Sequence, residues 1–428
     1  MISNSLSRRR FLGLAAGVAG SLCCPRLWAA NARIKFIWWG SQERTVLTHK
    51  ALAAFTDTTG IDIDTEYLDW LDYWQRFVSL VATRQTPDLI QMDYRYLQLY
   101  ADNGVLLPLD KYLGKRLDIE SFGQLNIDSC RVDGVLYGVN LGINSSATII
   151  DREGWGSAGV EPPTFGTTWE AFSDKCEAFV KGNKQPNFYA TPDASGIEVV
   201  FETWLRQRGK GLYTPEGALN FDIDDAVEWF TYWEKIRVFG GCVPADIQVL
   251  VKHTIDTSVL TLGYAATDFA HSNMLLNYQQ RIPKPLDITA FPITSTGGQP
   301  GQYYKPSQML SVSAYSKAPE LAVELANFLV MSPKAVRILG VDRGIPASPI
   351  VRKLLLQQLD AVGRKTIAYI NDLAPFAGPL PPLPPQGAGE VAITLQGIGH
   401  EIAFKQLTPK RGGEKLVREA SAILSNSI

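Results

Sequence analysis

Apolar residues along the chain change their spacing in a regular way. Ile34, Phe36, Ile37, Trp38 and Trp39 form a short, nearly continuous apolar run closed by Gly40, the pattern of a buried strand. Leu47, Ala51, Ala54 and Phe55 then recur at helical spacing, and Gly60 ends that helix. Ile61, Ile63, Thr65 and Tyr67 alternate with Asp62, Asp64 and Glu66, as in a half-buried strand. Tyr73, Phe77, Leu80 and Val81 predict a second amphipathic helix, broken at Pro87, and Asp88 to Met92 supplies a third strand. Strand, helix, strand, helix, strand implies right-handed crossovers and a largely parallel sheet. Ligands of such sheets sit beyond the carboxyl ends of the strands. That rule brings Trp38, Trp39, Asp69, Trp70 and Asp93 to Tyr96 to one rim.

The pattern then changes. Val132 to Gly138 reads as strand-turn-strand, and Asn140 to Ile150 as an extended segment. Helical stretches bearing tryptophan cover Thr168 to Val180, Glu198 to Gln207 and Asp225 to Val238, with short extended segments at Asp287 to Ile293 and Gln308 to Ser313. Six prolines between Pro375 and Pro385 exclude helix and central strand there and predict an extended surface crossing.

The first thirty-two residues follow a different logic. Arg8, Arg9 and Arg10 lead into the apolar run Phe11 to Leu22, and Ala30-Asn31-Ala32 forms an A-x-A cleavage site. The run is too short to span a bilayer. Ser7-Arg8-Arg9-Arg10-Phe11-Leu12 resembles a twin-arginine export signal, so a periplasmic, processed protein is expected. Outside the cytoplasm ATP and NAD(P)H are absent, which lowers the weight of most intracellular enzyme classes. Removing residues 1–32, with four arginines and no acid, takes the formal charge from −2 to −6 and argues against nucleic acid as a partner. Three cysteines then remain, Cys130, Cys176 and Cys242, too few and too scattered for a disulfide framework, although one pair is open.

Catalytic motifs are sparse. There is no G-x-G-x-x-G, no G-x-x-x-x-G-K-[ST] and no G-x-S-x-G. His400-Glu401 begins like a zinc-protease helix, but Phe404 stands at the partner position, and the four histidines include no pair at ligand spacing. Asp222, Asp224 and Asp225 read as helix-capping and solvated residues. A glycosidase carboxylate pair drawn from distant strands stays open on spacing alone.

Six segments in order carry a resemblance. They are WWGSQERTVLTHKALAAF from Trp38, Thr86-Pro87-Asp88-Leu89-Ile90, GVLYGVNLGINSSATII from Gly134, Gly159 to Phe172 with its P-P-x-T-W-E-x-F core carrying a three-residue insertion after Pro163, Ser316 to Ser332 ending near FLVMSPKA, and Arg343-Gly344-Ile345-Pro346-Ala347-Ser348. Together they resemble the family-1 extracellular solute-binding proteins, the sugar-capturing subunits of ABC importers. The resemblance implies a periplasmic-binding-protein-like α/β fold with two α/β lobes joined by three hinge crossings around a ligand cleft. It places one lobe at 33–142 plus 292–313, the other at 145–288 plus 317–428, and crossings at 143–144, 289–291 and 314–316. It implies a monomer that closes on a sugar or oligosaccharide and hands it to inner-membrane permease subunits, with no cofactor and no catalysis.

A pyranose offers apolar faces and a ring of hydroxyls, which suit aromatic platforms beside planar polar groups. The expected ligand contacts are Trp38, Trp39, Arg44, Trp70, Asp72, Tyr94 and Arg95 on the first lobe and its rim, with Asn144 in the first crossing. From the other lobe and the later crossings they are Asp268, Phe269, Tyr303, Tyr304, Lys305 and Arg343. Asp268-Phe269 replaces the family's usual cleft tryptophan, a departure from ordinary maltodextrin-like stacking. Arg44, Arg95, Lys305 and Arg343 add cationic weight, which leaves a uronide and a neutral sugar equally placed. The rival classes are an exported polysaccharide lyase or glycosidase and a metal or peptide receptor.

Overall fold

The computed structural model describes residues 33–40, 42–251, 255–295 and 298–426. The expected signal peptide, 1–32, lies outside the described residues.

The opening alternation folds as the hydrophobic spacing requires. Strands β1 (Arg33–Trp39), β2 (Asp62–Leu68) and β3 (Leu89–Met92) are joined by helices α1 (Gln42–Thr59) and α2 (Trp70–Ala82), and α3 (Tyr94–Asp102) follows β3. β1 pairs in parallel with both β2 and β3. Burial explains the composition: β3 is buried on both faces, whereas edge strand β2 leaves Tyr67 45% exposed.

Two further strands complete this sheet, Lys305–Val312 beside β3 and Val139–Asn144 at the far edge. Strand Lys305–Val312 runs antiparallel to both its neighbours, so the sheet is mixed rather than wholly parallel. It returns from the second half of the molecule and enters from the opposite end. A second sheet, wholly antiparallel, has Ser146–Asp151 between Thr267–His271 and Leu286–Thr289.

The chain passes from the first sheet to the second across one buried residue, Ser145, between Asn144 and Ser146. It returns between Thr289 and Lys305. The expected third crossing at 314–316 differs from what the backbone does. Ser313 N–H donates to the Asp88 carbonyl at 3.0 Å and Ala314 N–H to that of Val105 at 2.9 Å, so this segment stays on the first sheet. Helices Pro319–Met331 and Pro333–Leu339 pack against the first sheet and α1. Helix Ala361–Asp372 instead meets the second sheet at Leu286–Thr289, and helices Ala388–Ala403 and Pro409–Asn426 close over the second core. Residues 317–428 are therefore shared between the halves. The apolar faces of the helices at 319–339 decide this, since α1 and β3 would otherwise lie open.

One core runs from the first sheet onto one face of the second, where Ala147, Ile149, Leu286 and Ile288 join it, and a second core covers the opposite face of the second sheet. The second is dominated by five tryptophans, Trp155, Trp169, Trp204, Trp229 and Trp233, all buried. The proline-rich stretch is extended, as the six prolines require: Ala377–Gly378 pairs with Gln302–Tyr303, and the next helix begins at Ala388.

Candidate functional site

The carboxyl ends of β1 to β3 form one wall. Asp69 follows β2 and caps α2, accepting from Asp72 N–H at 3.0 Å, and Asp93 caps α3 by accepting from Arg95 N–H at 3.0 Å. These caps turn the chain sharply at the strand ends and leave Trp70, Tyr94 and Arg95 at the rim. Trp70 is half-buried, edge-on to Trp39 with ring centroids 5.1 Å apart, and the Arg95 guanidinium lies 5.7 Å from its ring centre. Trp39 itself is buried beneath, its carbonyl accepting from Gln91 Nε2 at 3.0 Å. Tyr94 reaches across to donate to the Pro381 carbonyl at 3.4 Å, and burial, then Cys130 and Glu202, push its hydroxyl up to about 12.

Helix Glu198–Arg206 supplies the facing wall. Its apolar residues Val200, Phe201, Trp204 and Leu205 enter the second core, which leaves Glu198, Glu202 and Arg206 on the other side at four-residue spacing. Tyr303 donates to Glu202 at 3.1 Å, and the Arg206 guanidinium stands 5.1 Å over the Tyr303 ring. Arg206 also donates to the carbonyls of Gly301 (2.8 Å) and Pro379 (2.5 Å), tying the proline-rich stretch to this wall. Burial pushes the Glu202 carboxyl up, opposed by Arg206, the Tyr303 hydrogen bond and Lys305. Glu198 is pushed up to about 7 by burial and by Glu202, with Lys305 opposing.

The floor is the first crossing. Asn144 and Lys305 are register partners where their strands end. Lys305 is exposed and acts on Glu198, on Glu202 and on His271, whose imidazole is pushed down to about 4 by burial and then by Lys305. Three buried polar atoms around these groups have no partner among the described residues: Asn144 Oδ1, His271 Nδ1 and the Tyr213 hydroxyl. Twelve other buried side-chain atoms among the described residues are in the same state, and in folded proteins waters or ligands complete such groups.

The other expected contacts belong elsewhere. Trp38 is fully buried between Phe36, His49 and Tyr67, Phe269 packs against Phe172, Trp233 and Phe291, and Tyr304 donates from a buried position to the Ile370 carbonyl. They are core residues, packed into the hydrophobic clusters of the molecule. Asp268 is buried behind its strand, accepts from Tyr278 at 2.9 Å and is raised to about 6 by burial. Asp72 is exposed on the first turn of α2. Arg44 is paired with Asp342 at 2.7 Å. Arg343 is buried, bonded to Gln91 Oε1 (3.1 Å) and Thr48 Oγ1 (2.8 Å), and lowered to about 9 by burial. These two arginines hold the loop after Leu339 onto the first sheet.

Of the fourteen expected contacts, the structure therefore brings Trp70, Tyr94, Arg95, Asn144, Tyr303 and Lys305 together, with Trp39 beneath. Sequence reasoning missed Glu198, Glu202, Tyr213 and His271, and read Arg206 as a core or surface residue. One signal was present: two glutamates and an arginine at i, i+4, i+8 opposite an unbroken apolar stripe. A cavity of about 200 Å³ lies behind Tyr303, lined by Gln207, Thr294, Gly301, Gln302 and Phe376 among others. None of the fourteen lines it. Among the described residues no group of His, Cys, Asp and Glu could hold a metal ion.

Residues 50–354 match the family model of the bacterial extracellular solute-binding proteins. A family 1 extracellular solute-binding protein from Alicyclobacillus acidocaldarius shares 29% identity and superposes with a TM-score of 0.84, over 92% of this chain and 99% of that one. A periplasmic oligogalacturonide-binding protein from Yersinia enterocolitica gives 20% identity and a TM-score of 0.76, over 92% and 100%. A sugar-binding protein from Xanthomonas citri gives 17% and 0.73, over 92% and 98%. The superpositions show that the chain shares the fold of these proteins, and the chain belongs to the bacterial extracellular solute-binding protein family, the receptors of ABC importers.

Proposed function

We propose that the protein captures a sugar or oligosaccharide in the cleft between its two sheets and delivers it by hinge closure to an inner-membrane permease, working as an exported monomer in the periplasm. The observation that carries this is the convergence on one cleft of Trp70 and Tyr94 with the polar set Glu198, Glu202, Lys305 and Asn144. Aromatic faces and planar hydrogen-bonding groups are what a pyranose needs. The partnerless atoms of Asn144, His271 and Tyr213 are groups a hydroxyl-rich ligand would complete. The Yersinia relative was also solved with a saturated digalacturonic acid, and a Listeria monocytogenes relative with cycloalternan. Closure would turn about Ser145, about the return between Thr289 and Lys305 and about the passage before Ala361, which join the halves.

Glycoside hydrolysis needs two carboxylates flanking the scissile bond. Glu198 and Glu202 stand on one helix face and line one wall together, an arrangement suited to accepting hydroxyls rather than to straddling a bond. A thermal-shift screen of the chain from Arg33 against neutral sugars, polyols and galacturonides tests the reading. Ligand at a hundred times its Kd adds ~2.7 kcal/mol. Over ~400 residues that is roughly 3 °C in Tm. A shift with the compound recovered unchanged is the expected result; no shift with any carbohydrate, or cleavage of the compound, overturns it.

A further inference from the structure

Resting on the sugar-receptor reading above, we propose that Glu198 sets the charge specificity of the site: its carboxylate takes two neighbouring hydroxyls of the ligand and excludes sugars that carry a carboxylate. The charges around the cleft decide this, because the cations that could recognise a uronate are mostly engaged. Arg44 and Arg343 bind Asp342, Gln91 and Thr48 beneath the rim. Arg206 directs its donors to the carbonyls of Gly301 and Pro379. Arg95 is 63% exposed and paired with Asp93 at 3.4 Å, where solvent screens it. Lys305 is left, and it faces two glutamates at once.

Glu198 itself is in an unusual position for a partly buried acid. Its carboxylate has no hydrogen bond or ion pair among the described residues, whereas Glu202 is bonded to Tyr303. The groups that act on it are Glu202 from its own helix, Lys305 from the facing strand, and the Tyr213 ring from the loop beyond. A planar acceptor with both oxygens free matches a pair of adjacent hydroxyls, and bonds to a charged acceptor are stronger than neutral ones. Above pH 7, where Glu198 is ionised, an incoming carboxylate would meet its like charge in a poorly solvated cleft, with Lys305 already set against Glu198 and Glu202.

Calorimetric titration at pH 8, where Glu198 is ionised, of two matched pairs tests this: α-1,4-galactobiose against α-1,4-digalacturonate, and cellobiose against cellobiouronic acid, on the wild-type chain and on Glu198→Gln. The wild type is expected to prefer the neutral member of a pair by tenfold or more. Glu198→Gln is expected to weaken the neutral ligand by about tenfold and to narrow or invert the preference, a change that mere loosening of the helix would not produce. Tighter binding of the uronate by the wild type, or an unchanged ratio in the variant, overturns the assignment of Glu198 while leaving sugar capture intact. Silence towards all four compounds, and towards the wider neutral and uronate screen, overturns sugar capture and this assignment with it.

Discussion

Replacing Glu198 by glutamine should stabilise the ligand-free protein above neutral pH and leave it unchanged in acid. Burial, reinforced by Glu202, raises this carboxyl from its ordinary 4.5 to about 7. A group whose folded-state value is raised keeps its full stability below the unfolded value and loses it as pH rises through the folded one. The loss here falls between about pH 4.5 and pH 7. At 1.36 kcal/mol per tenfold, and allowing for partial solvent access, the ionised group costs about 2–3 kcal/mol above pH 7. Glutamine keeps the shape and removes the charge. With an unfolding entropy of ~2.1 cal/mol/K per residue over ~400 residues, Glu198→Gln should melt roughly 3 °C higher than the wild type at pH 8. At about pH 4, where Glu198 is largely protonated in both states, the two curves should nearly coincide. Differential scanning calorimetry at both pH values, without ligand, makes the measurement. An equal difference at both pH values, or a lower-melting variant at pH 8, would refute the reasoning. Stability given up for an unpaired acid is what a binding site shows and a structural helix does not.

Other consequences can be checked with single variants. Trp70→Ala should weaken sugar binding by tenfold or more while costing only about 1–2 kcal/mol of stability, because the ring is half-buried at the rim; quenching of tryptophan fluorescence by ligand should shrink with it. Gly142→Ala places a Cβ 2.3 Å from the Arg343 carbonyl oxygen, a backbone atom that cannot swing away, so urea unfolding should show a loss of about 2–3 kcal/mol. Tyr303→Phe removes the hydrogen bond to Glu202 and should cost about 1 kcal/mol, read by the urea midpoint at constant m-value. Cys130, Cys176 and Cys242 are free and buried, and burial raises all three thiols, Cys130 to about 12. A thiol reagent should therefore leave the native protein from Arg33 onward unlabelled and titrate all three after denaturation; a single reactive thiol in the denatured chain would show a disulfide instead.

Local patterning was enough for the elements of the first sheet. Period-two and helical spacing, with Gly40, Gly60 and Pro87 as stops, place β1, β2 and α2 within a few residues of where they lie, since those signals act over a single turn or strand. The caps Asp69, Asp93 and Asp222 follow from the same short-range chemistry; Asp222 and Asp225 form a capping box as their spacing suggests. The proline-rich stretch is extended because proline allows little else. Rim residues that follow a strand directly, Trp70, Tyr94 and Arg95, were legible for that reason.

Only the tertiary structure decided which face of a residue meets the cleft. Trp38 and Trp39 are adjacent, yet one enters the core beside His49 and the other supports Trp70, because a strand alternates its faces and the sheet's orientation is a global property. Arg44 lies 298 positions before Asp342, the acid that joins it to Arg343, so local pattern gives no sign that either arginine is already engaged. The third passage between halves lies before Ala361 rather than at 314–316 because helices 319–339 cover α1 and β3, an apolar match made at long range. In sequence Glu198 and Glu202 are only the polar side of an amphipathic helix. What gives this face its chemistry is Lys305 and Tyr303 arriving from a distant segment of the chain, and burial strong enough to hold the Glu198 carboxyl near neutrality. Spacing reports the face a residue shares with its neighbours; the field and the partners at that face come from distant chain segments, and they set the chemistry.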